Sequence, residues 1–393
     1  MRKIAAHYIF PISGEPIKKG LLTLDDNGRI LSISALSKNE EESVEFYNGI
    51  ICPGFVNAHC HLELSALKGI VPRGTGLADF TRQMSQKPEV DKEEQVSAIL
   101  NADNEMLAEG IVAVGDISNT SISFDIKASS SIFYHNFIEV YGSNPAVAEQ
   151  TFNNGVALVA KASLQGLTAS LTPHAPYSMS DKLFANTLEE AVKSGILSIH
   201  NQESREENEY FELGTGYFAE LYKKGDFVPP AIIHKPSIFR TLPLLSKDTR
   251  TLLIHNSYTT EADYDAATNT NSHLSWVLCP NSNLYIESTL PPVNMFYQKG
   301  ANVAIGTDSL ASNSRLSVLE ELKTLNLHFP HIPLQELLKW ATIGGAQALK
   351  AESYFGSLDI GKSPGIVLIE GVDLQNLRLT ENSRVSLLYG HTR

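Results

Sequence analysis

Cysteine is scarce in this chain, with three in 393 residues (Cys52, Cys60 and Cys279). So few, so widely spaced, exclude a disulfide framework and a Cys-rich zinc site, and point to a soluble protein of a reducing compartment, the cytoplasm. No run approaches the roughly 18 uninterrupted apolar residues of a membrane span. The apolar stretch at the start is broken by His7 and Pro11, unlike a secretory signal. Positive charge is also short: 31 Lys and Arg stand against 44 Asp and Glu, a formal net charge of −13. Without a dense basic cluster such a chain is poorly suited to a phosphate backbone, so neither nucleic acid nor membrane is expected as a partner. Glycine (26) and proline (18) are too few for a disordered or collagenous chain, and 42% hydrophobic residues suffice for a sizeable core.

Short apolar runs are present in number, and each closes on polar or ionisable residues. They cover residues 50–61, 111–116, 131–139, 167–174, 196–200, 251–255, 274–281 and 303–308. Amphipathic stretches lie between them. One spans 93–109 and ends at Gly110. Another runs over 181–193 behind an N-cap at Ser180, with Gly195 just beyond and Phe184, Leu188, Ala191 and Val192 on one face. Eight strands alternating with helices predict a parallel sheet closed into a (β/α)8 TIM-like barrel, whose chemistry gathers at the carboxyl ends of its strands. Both ends of the chain read as β. Residues 21–24 and 29–33 flank the turn Asp25-Asp26-Asn27-Gly28, and 365–370 and 384–388 are strand-like.

His59 and His61 stand two apart at the end of the first run, where strand alternation would aim both imidazoles the same way. Alone, the pair fits a shared divalent cation or two surface histidines equally well. His200 ends the fifth run, His255 the sixth and Asp308 the eighth. Each of these alone could be an ordinary rim residue, but together they form a nitrogen and oxygen set suited to Zn or Fe.

The segments His59-Cys60-His61, His200-Asn201-Gln202-Glu203, His255-Asn256 and Gly306-Thr307-Asp308 resemble the amidohydrolase superfamily, in its metal-dependent deaminase and chlorohydrolase branch, over essentially the whole chain. Guanine and S-adenosylhomocysteine deaminases belong to that branch. The stretches His61-Leu62-Glu63-Leu64-Ser65 and Glu139-Val140-Tyr141-Gly142-Ser143-Asn144-Pro145 resemble the aminodeoxyfutalosine deaminases. The resemblance implies that His59, His61, His200 and Asp308 bind one metal ion. The fourth run, Leu171-Thr172-Pro173-His174-Ala175-Pro176-Tyr177, lacks the Lys or Glu that bridges two metals in dinuclear members, and its His174 looks like the branch's substrate-facing histidine. Glu203, one helical turn past His200, takes the place of the proton shuttle. Its neighbours Glu206, Glu207 and Glu209 read as solvated surface. Glu63 is expected to reach a substrate hydroxyl or amine, and Cys279-Pro280-Asn281-Ser282-Asn283 to shape the pocket. Cys60, between two ligands, should point away from the metal.

These readings amount to a hydrolase of non-peptide carbon–nitrogen bonds that deaminates an amino-substituted ring, a purine or purine nucleoside. Asp308 takes a proton from water, His255 holds the developing oxyanion, and Glu203 protonates the ring nitrogen and the departing amine. The cofactor is one divalent ion, Zn or alternatively Fe, and the partner a small-molecule substrate, with a homodimer suggested by the resemblance. Hydrolysis of an amide, cyclic amide or carbon–halogen bond at the same metal is the alternative, and a non-catalytic binding barrel a remoter one. Residues 1–52 with 353–393 are expected to form a small β-sandwich domain, and 53–352 the barrel. Loops over 68–88 and 203–230 would set specificity.

Overall fold

The computed structural model describes residues 1–37, 44–224 and 228–390. Fourteen strands are named here in chain order: β1 (Arg2–Ile9), β2 (Ile17–Leu24), β3 (Ile30–Ala35), β4 (Glu45–Pro53), β5 (Phe55–Cys60), β6 (Ile111–Ser118), β7 (Phe133–Val140), β8 (Thr168–Pro173), β9 (Ile196–Asn201), β10 (Arg250–His255), β11 (Leu274–Leu278), β12 (Val303–Ile305), β13 (Ile366–Glu370) and β14 (Arg384–Tyr389). Strands β5 to β12 with their intervening helices form the (β/α)8 barrel. They pair in parallel as two half-sheets, β5-β6-β7-β8 and β12-β11-β10-β9. Two seams join the halves. At one, the amides of Thr307 and Asp308 donate to the His59 carbonyl (3.0 and 3.1 Å). At the other, His200 N donates to the His174 carbonyl (2.9 Å), and the Thr172 hydroxyl accepts from Ser198 N (2.9 Å) in place of a backbone oxygen.

The strand interiors explain the alternation. In β9, Leu197 and Ile199 pack outward among the helices, while Ile196 joins Leu252 and Ile254 of β10, Val277, Ala304 and Phe137 inside the barrel. Ser198 and His200 continue that inward row. Helix ends follow their sequence signals: Ser180 Oγ accepts from Leu183 N at 3.3 Å, and Gly195 closes the helix Asp181–Ser194 in the left-handed conformation, φ 68°.

The run at 50–61 is two strands, not one. It breaks at Pro53–Gly54, where a Cβ on Gly54 would stand 2.5 Å from Val112 Cγ1. Its first part, β4, leaves the barrel for a sheet built from both ends of the chain, in the order β14-β13-β4-β1-β2-β3. The strands expected to form a sandwich are thus hydrogen-bonded into one six-stranded sheet. Its two faces divide cleanly. Ile51, Ile366 and Leu368 face a core with Ile4, Ile9, Leu22 and Ile30, whereas Ile50, Cys52, Val367 and Ile369 pack toward the barrel. Of the segment 353–393, residues 391–393 lie outside the described residues, as do 225–227 of the loop 203–230.

One buried ion pair lies against the second and third barrel strands, β6 and β7. Lys127 Nζ stands 2.5 Å from Asp116 Oδ2 with both side chains inaccessible, and also donates to Ser118 Oγ and Asn136 Oδ1 at 2.8 Å. Asp116 Oδ1 accepts the amide of Leu62, the residue after His61, at 2.8 Å. Lys127→Met leaves Asp116 charged and unpaired in the interior, so a loss of about 3–5 kcal/mol is expected in denaturant unfolding. Pairing it with Asp116→Leu should return part of that loss; a wild-type unfolding midpoint for Lys127→Met alone would contradict the assigned pair.

Candidate metal and active site

His59 and His61 reach the barrel mouth through an irregularity. Val56 and Ala58 point into the barrel, and plain alternation would next send Cys60 inward and both histidines outward. The pairing of β5 with β6 shifts register between Asn57 and Cys60, a bulge-like break that reverses the parity. Cys60 therefore packs among the outward residues and the imidazoles face each other, with His61 Nε2 3.2 Å from His59 Nε2 and 3.4 Å from His200 Nε2. Asp308 Oδ1 completes the group, 3.6 Å from His61 Nε2 and 3.9 Å from His59 Nε2.

This donor set fits a divalent cation. Three imidazole nitrogens within hydrogen-bond distance cannot be satisfied by the hydrogens they could share, and His59 Nδ1 is buried without a partner. Burial, with the other histidines next in effect, holds His59 and His200 well below the usual imidazole range, so their lone pairs are available. Burial alone would raise the Asp308 carboxyl. His61, His255 and hydrogen bonds from Ser282 (2.6 Å) and Ser312 (2.8 Å) to Oδ2 outweigh it and hold the group below its ordinary value. In three sets among the described residues the ligand atoms lie within 4.8 Å of one another: His59, His61 and Asp308; His59, His200 and His255; and Glu139, His174 and His200.

Four non-glycine residues at this rim adopt left-handed backbone conformations: Gln202 (φ 45°), His255 (72°), Asn256 (59°) and Asp308 (56°). Strain of this kind persists where surrounding bonds enforce it. Asn256 Nδ2 donates to the carbonyls of Leu253 and Val277, and Thr259 Oγ1 donates to Gln202 Oε1 at 2.7 Å. The turn around Cys279 supplies Ser282 to Asp308, and Asn283 Nδ2 stands 3.5 Å from His255 Nδ1.

Glu203 is buried, with Oε1 3.7 Å from His255 Nε2. Burial first, and the Asp308 carboxylate second, push its carboxyl well above the ordinary range. Burial likewise depresses His255 to about 4 and His174 to about 3, so both rings are neutral at pH 7. Glu207 corrects the reading of its run as surface. It is fully buried, and its two oxygens accept the amides of Gln202 (3.1 Å) and Glu203 (3.0 Å). The spacing Ser204-x-x-Glu207, a capping-box signature, was the available signal; Ser204 Oγ does accept from Glu207 N at 3.2 Å.

Glu63 lies apart from the ligand group. Its carboxylate accepts the amides of Asn119 (3.2 Å) and Thr120 (3.2 Å to Oε2) and the Thr120 hydroxyl (3.1 Å), fixing the loop after β6. The remaining residues surround a cavity of about 380 Å³ lined by His61, His174, His200, Glu203, His255 and Asp308, with Asn119, Glu139 and Tyr141 to one side. Leu77, Phe80, Thr81 and Met84, on one face of the helix Gly76–Ser85, and Tyr177 form an apolar wall. Among the described residues no helix is long and apolar enough to cross a membrane.

Residues 50–387 match the amidohydrolase family. The chain belongs to that family. It is 30% identical over 320 residues to an adenosine deaminase of Helicobacter pylori, an alignment covering 77% of this chain and 75% of the relative. It is 28% identical over 331 residues to an aminodeoxyfutalosine deaminase of a Nitratiruptor species, covering 82% and 79%. The crystal structure of Helicobacter pylori aminofutalosine deaminase in complex with methylthio-coformycin superposes with a TM-score of 0.79 at 23% identity, over 99% of both chains, a likeness of fold.

Proposed function

We propose that the protein is a metal-dependent aminohydrolase that deaminates a purine or purine nucleoside, and that its ion is zinc. The observation that carries this reading is a buried carboxyl, Glu203, with Oε1 3.7 Å from His255 Nε2 at the edge of a three-histidine, one-aspartate cluster. The deaminase relatives support it. The ligands in this reading are His59, His61, His200 and Asp308; the nitrogen-rich set suits zinc, with iron the alternative. When bound, such an ion lowers the pKa of a water towards about 7 and so supplies hydroxide near neutral pH.

The chain's own groups do the rest. Asp308, ionised and steadied by Ser282 and Ser312, takes the proton of the attacking water. Neutral His255 offers its Nε2 hydrogen to the oxygen that adds to the ring carbon. Glu203, whose burial favours the protonated carboxyl, gives its proton to the ring nitrogen. As the carbonyl forms, it recovers one from the hydroxyl of the adduct and passes it to the departing amine, while the water proton held by Asp308 resets Glu203 through solvent. The carbon–nitrogen bond breaks, leaving the oxo ring and ammonia. His174 borders the bound ring, and Glu63 acts on substrate through the loop it holds. We extend the reading to a barrel domain over 53–352 with a terminal domain of 1–52 and 353–393, to a homodimer, and, from three free buried cysteines, to the cytoplasm.

An ammonia-release screen over adenosine, 5′-deoxyadenosine, aminodeoxyfutalosine and guanine tests the reaction. Release from at least one is expected; opening of a cyclic amide with no ammonia from any of these would replace deamination by amide hydrolysis. His255→Ala should keep its metal content and lower turnover by about 10²-fold, the scale of one lost oxyanion donor. Metal lost from that variant would move His255 into the ligand set.

A further inference from the structure

A second cavity, of about 480 Å³, lies at the floor of the barrel, where β7, β8 and β9 begin, and is larger than the one at the mouth. Barrel enzymes carry their chemistry at the opposite end, and the barrel interior is ordinarily filled by side chains. Here the floor is hollow, with walls of two kinds. Phe133 and Phe355, their ring centroids 5.7 Å apart, and the exposed Tyr354 form an aromatic side. The same space is lined by His135, Thr168 and Lys350, and among the described residues no acidic group lines it.

Two of the polar groups are unpartnered. His135 points inward with Phe137, two residues on, and is 5% exposed. Ser170 Oγ lies 2.9 Å from its Nε2, whereas Nδ1 has no hydrogen-bond partner among the described residues. The Ser170 hydroxyl can supply the hydrogen of that bond, which leaves the ring's own hydrogen on Nδ1. Burial first, and the Lys350 charge second, keep the ring neutral, at about 3. Lys350 follows the helix Gly345–Ala348 at φ 58°, the left-handed closing position where glycine is usual. Ala351 N donates back to the Ala346 carbonyl at 2.8 Å, the bond that completes this motif. A lysine there keeps its side chain at the cost of backbone strain. Its ammonium reaches across to β9, since a Cβ added to Gly195 would stand 2.8 Å from Nζ. Among the described residues no carboxylate pairs with it, and Glu352, two residues on, is held by Arg250 at 3.0 Å.

One positive charge and a neutral donor beside aromatic rings, with no arginine fork, match a flat monoanion. We propose that the barrel floor is a second ligand site, for a small aromatic carboxylate whose ring lies against Phe133 and Phe355 and whose carboxylate is held by Lys350 Nζ and His135 Nδ1. The floor cavity shares no lining residue with the mouth, so the proposal is independent of the deaminase reading.

Equilibrium dialysis of the metal-loaded protein against naphthalene-2-carboxylate, 2-naphthamide and acetate tests the site. The naphthoate should bind about once per chain with a Kd below about 1 mM, the range for a ligand of this size. The amide, which forfeits the charge-assisted bond, should bind about 10- to 100-fold more weakly, and acetate, without a ring, not measurably. Lys350→Gly should bring naphthoate and amide to the same weak affinity, and Lys350→Arg should keep most of the preference. Because glycine suits a φ of 58°, Lys350→Gly should also unfold at the wild-type temperature or above it. A lower temperature would make the ammonium a cap on the carbonyls that end the helix Asp181–Ser194, and would overturn its role in the site. Equal wild-type affinities for naphthoate and amide, no binding of either, or naphthoate binding unchanged in Lys350→Gly would each overturn the proposal.

Discussion

Glu203→Gln is expected to lower turnover by about 10²–10⁴-fold, the usual contribution of a positioned acid or base. Fold and metal content should remain. The amide of Gln can occupy the same volume and keep a hydrogen bond, and the backbone at 202–203 is held by Glu207 rather than by the Glu203 side chain. The substituted group cannot carry a proton, and both the ring nitrogen and the leaving amine need one. Glu206→Gln, outside the cavity, serves as the comparison and should turn over near the wild-type rate. Turnover of Glu203→Gln close to wild type would remove the proton shuttle from the mechanism.

Stripping the metal by chelation should abolish activity and destabilise the fold together. The candidate ligands come from both half-sheets, His59 and His61 at the end of β5 and His200 and Asp308 from the half that contains β9 and β12. An ion held among them ties the halves across their seams. An ion present at about a thousandfold over its dissociation constant contributes about 4 kcal/mol of stability, so thermal unfolding of the stripped protein should occur well below that of the loaded one. Returning about one equivalent of zinc per chain is expected to restore both properties. A requirement for two equivalents would contradict a single site, and an unchanged unfolding temperature would contradict the tie between the halves.

Much of this was legible in the sequence because it depends on local patterns. Alternating strands and helices fixed the barrel, and the polar residues closing each run marked its mouth. Ser180 and Gly195 marked the ends of one helix correctly. What stayed hidden depends on register and packing. The Pro53-Gly54 dipeptide did mark the break between β4 and β5, but the apolar residues on both sides of it read as one strand. The parity reversal at Asn57–Cys60 is a property of pairing with β6, so simple alternation along β5 gave no reason for His59 to face inward. Glu207 reads as surface and nothing in the sequence singles out Lys127; only the amides of 202 and 203, or the surrounding Asp116, Ser118 and Asn136, show why each is buried. Glu139 was visible only as part of a short resemblance; its grouping with His174 and His200 requires the neighbouring strands in place.

The sheet built from both chain ends also constrains the order in which the molecule can assemble. In it β4 pairs on one side with β1, close in sequence, and on the other with β13, near the opposite end, in a register that sets Ile51 against Leu368. During synthesis the first four strands can meet early, but the β13 edge of β4 stays open until the barrel has been made and the last strands emerge. Until then an apolar strand edge is available to another chain, the hazard that accompanies long-range pairing. A chain ending before β13 would keep every candidate metal ligand and still expose Ile50 and Ile51 along that edge. Its failure would be one of aggregation during folding, and the chemistry of the barrel mouth would play no part in it.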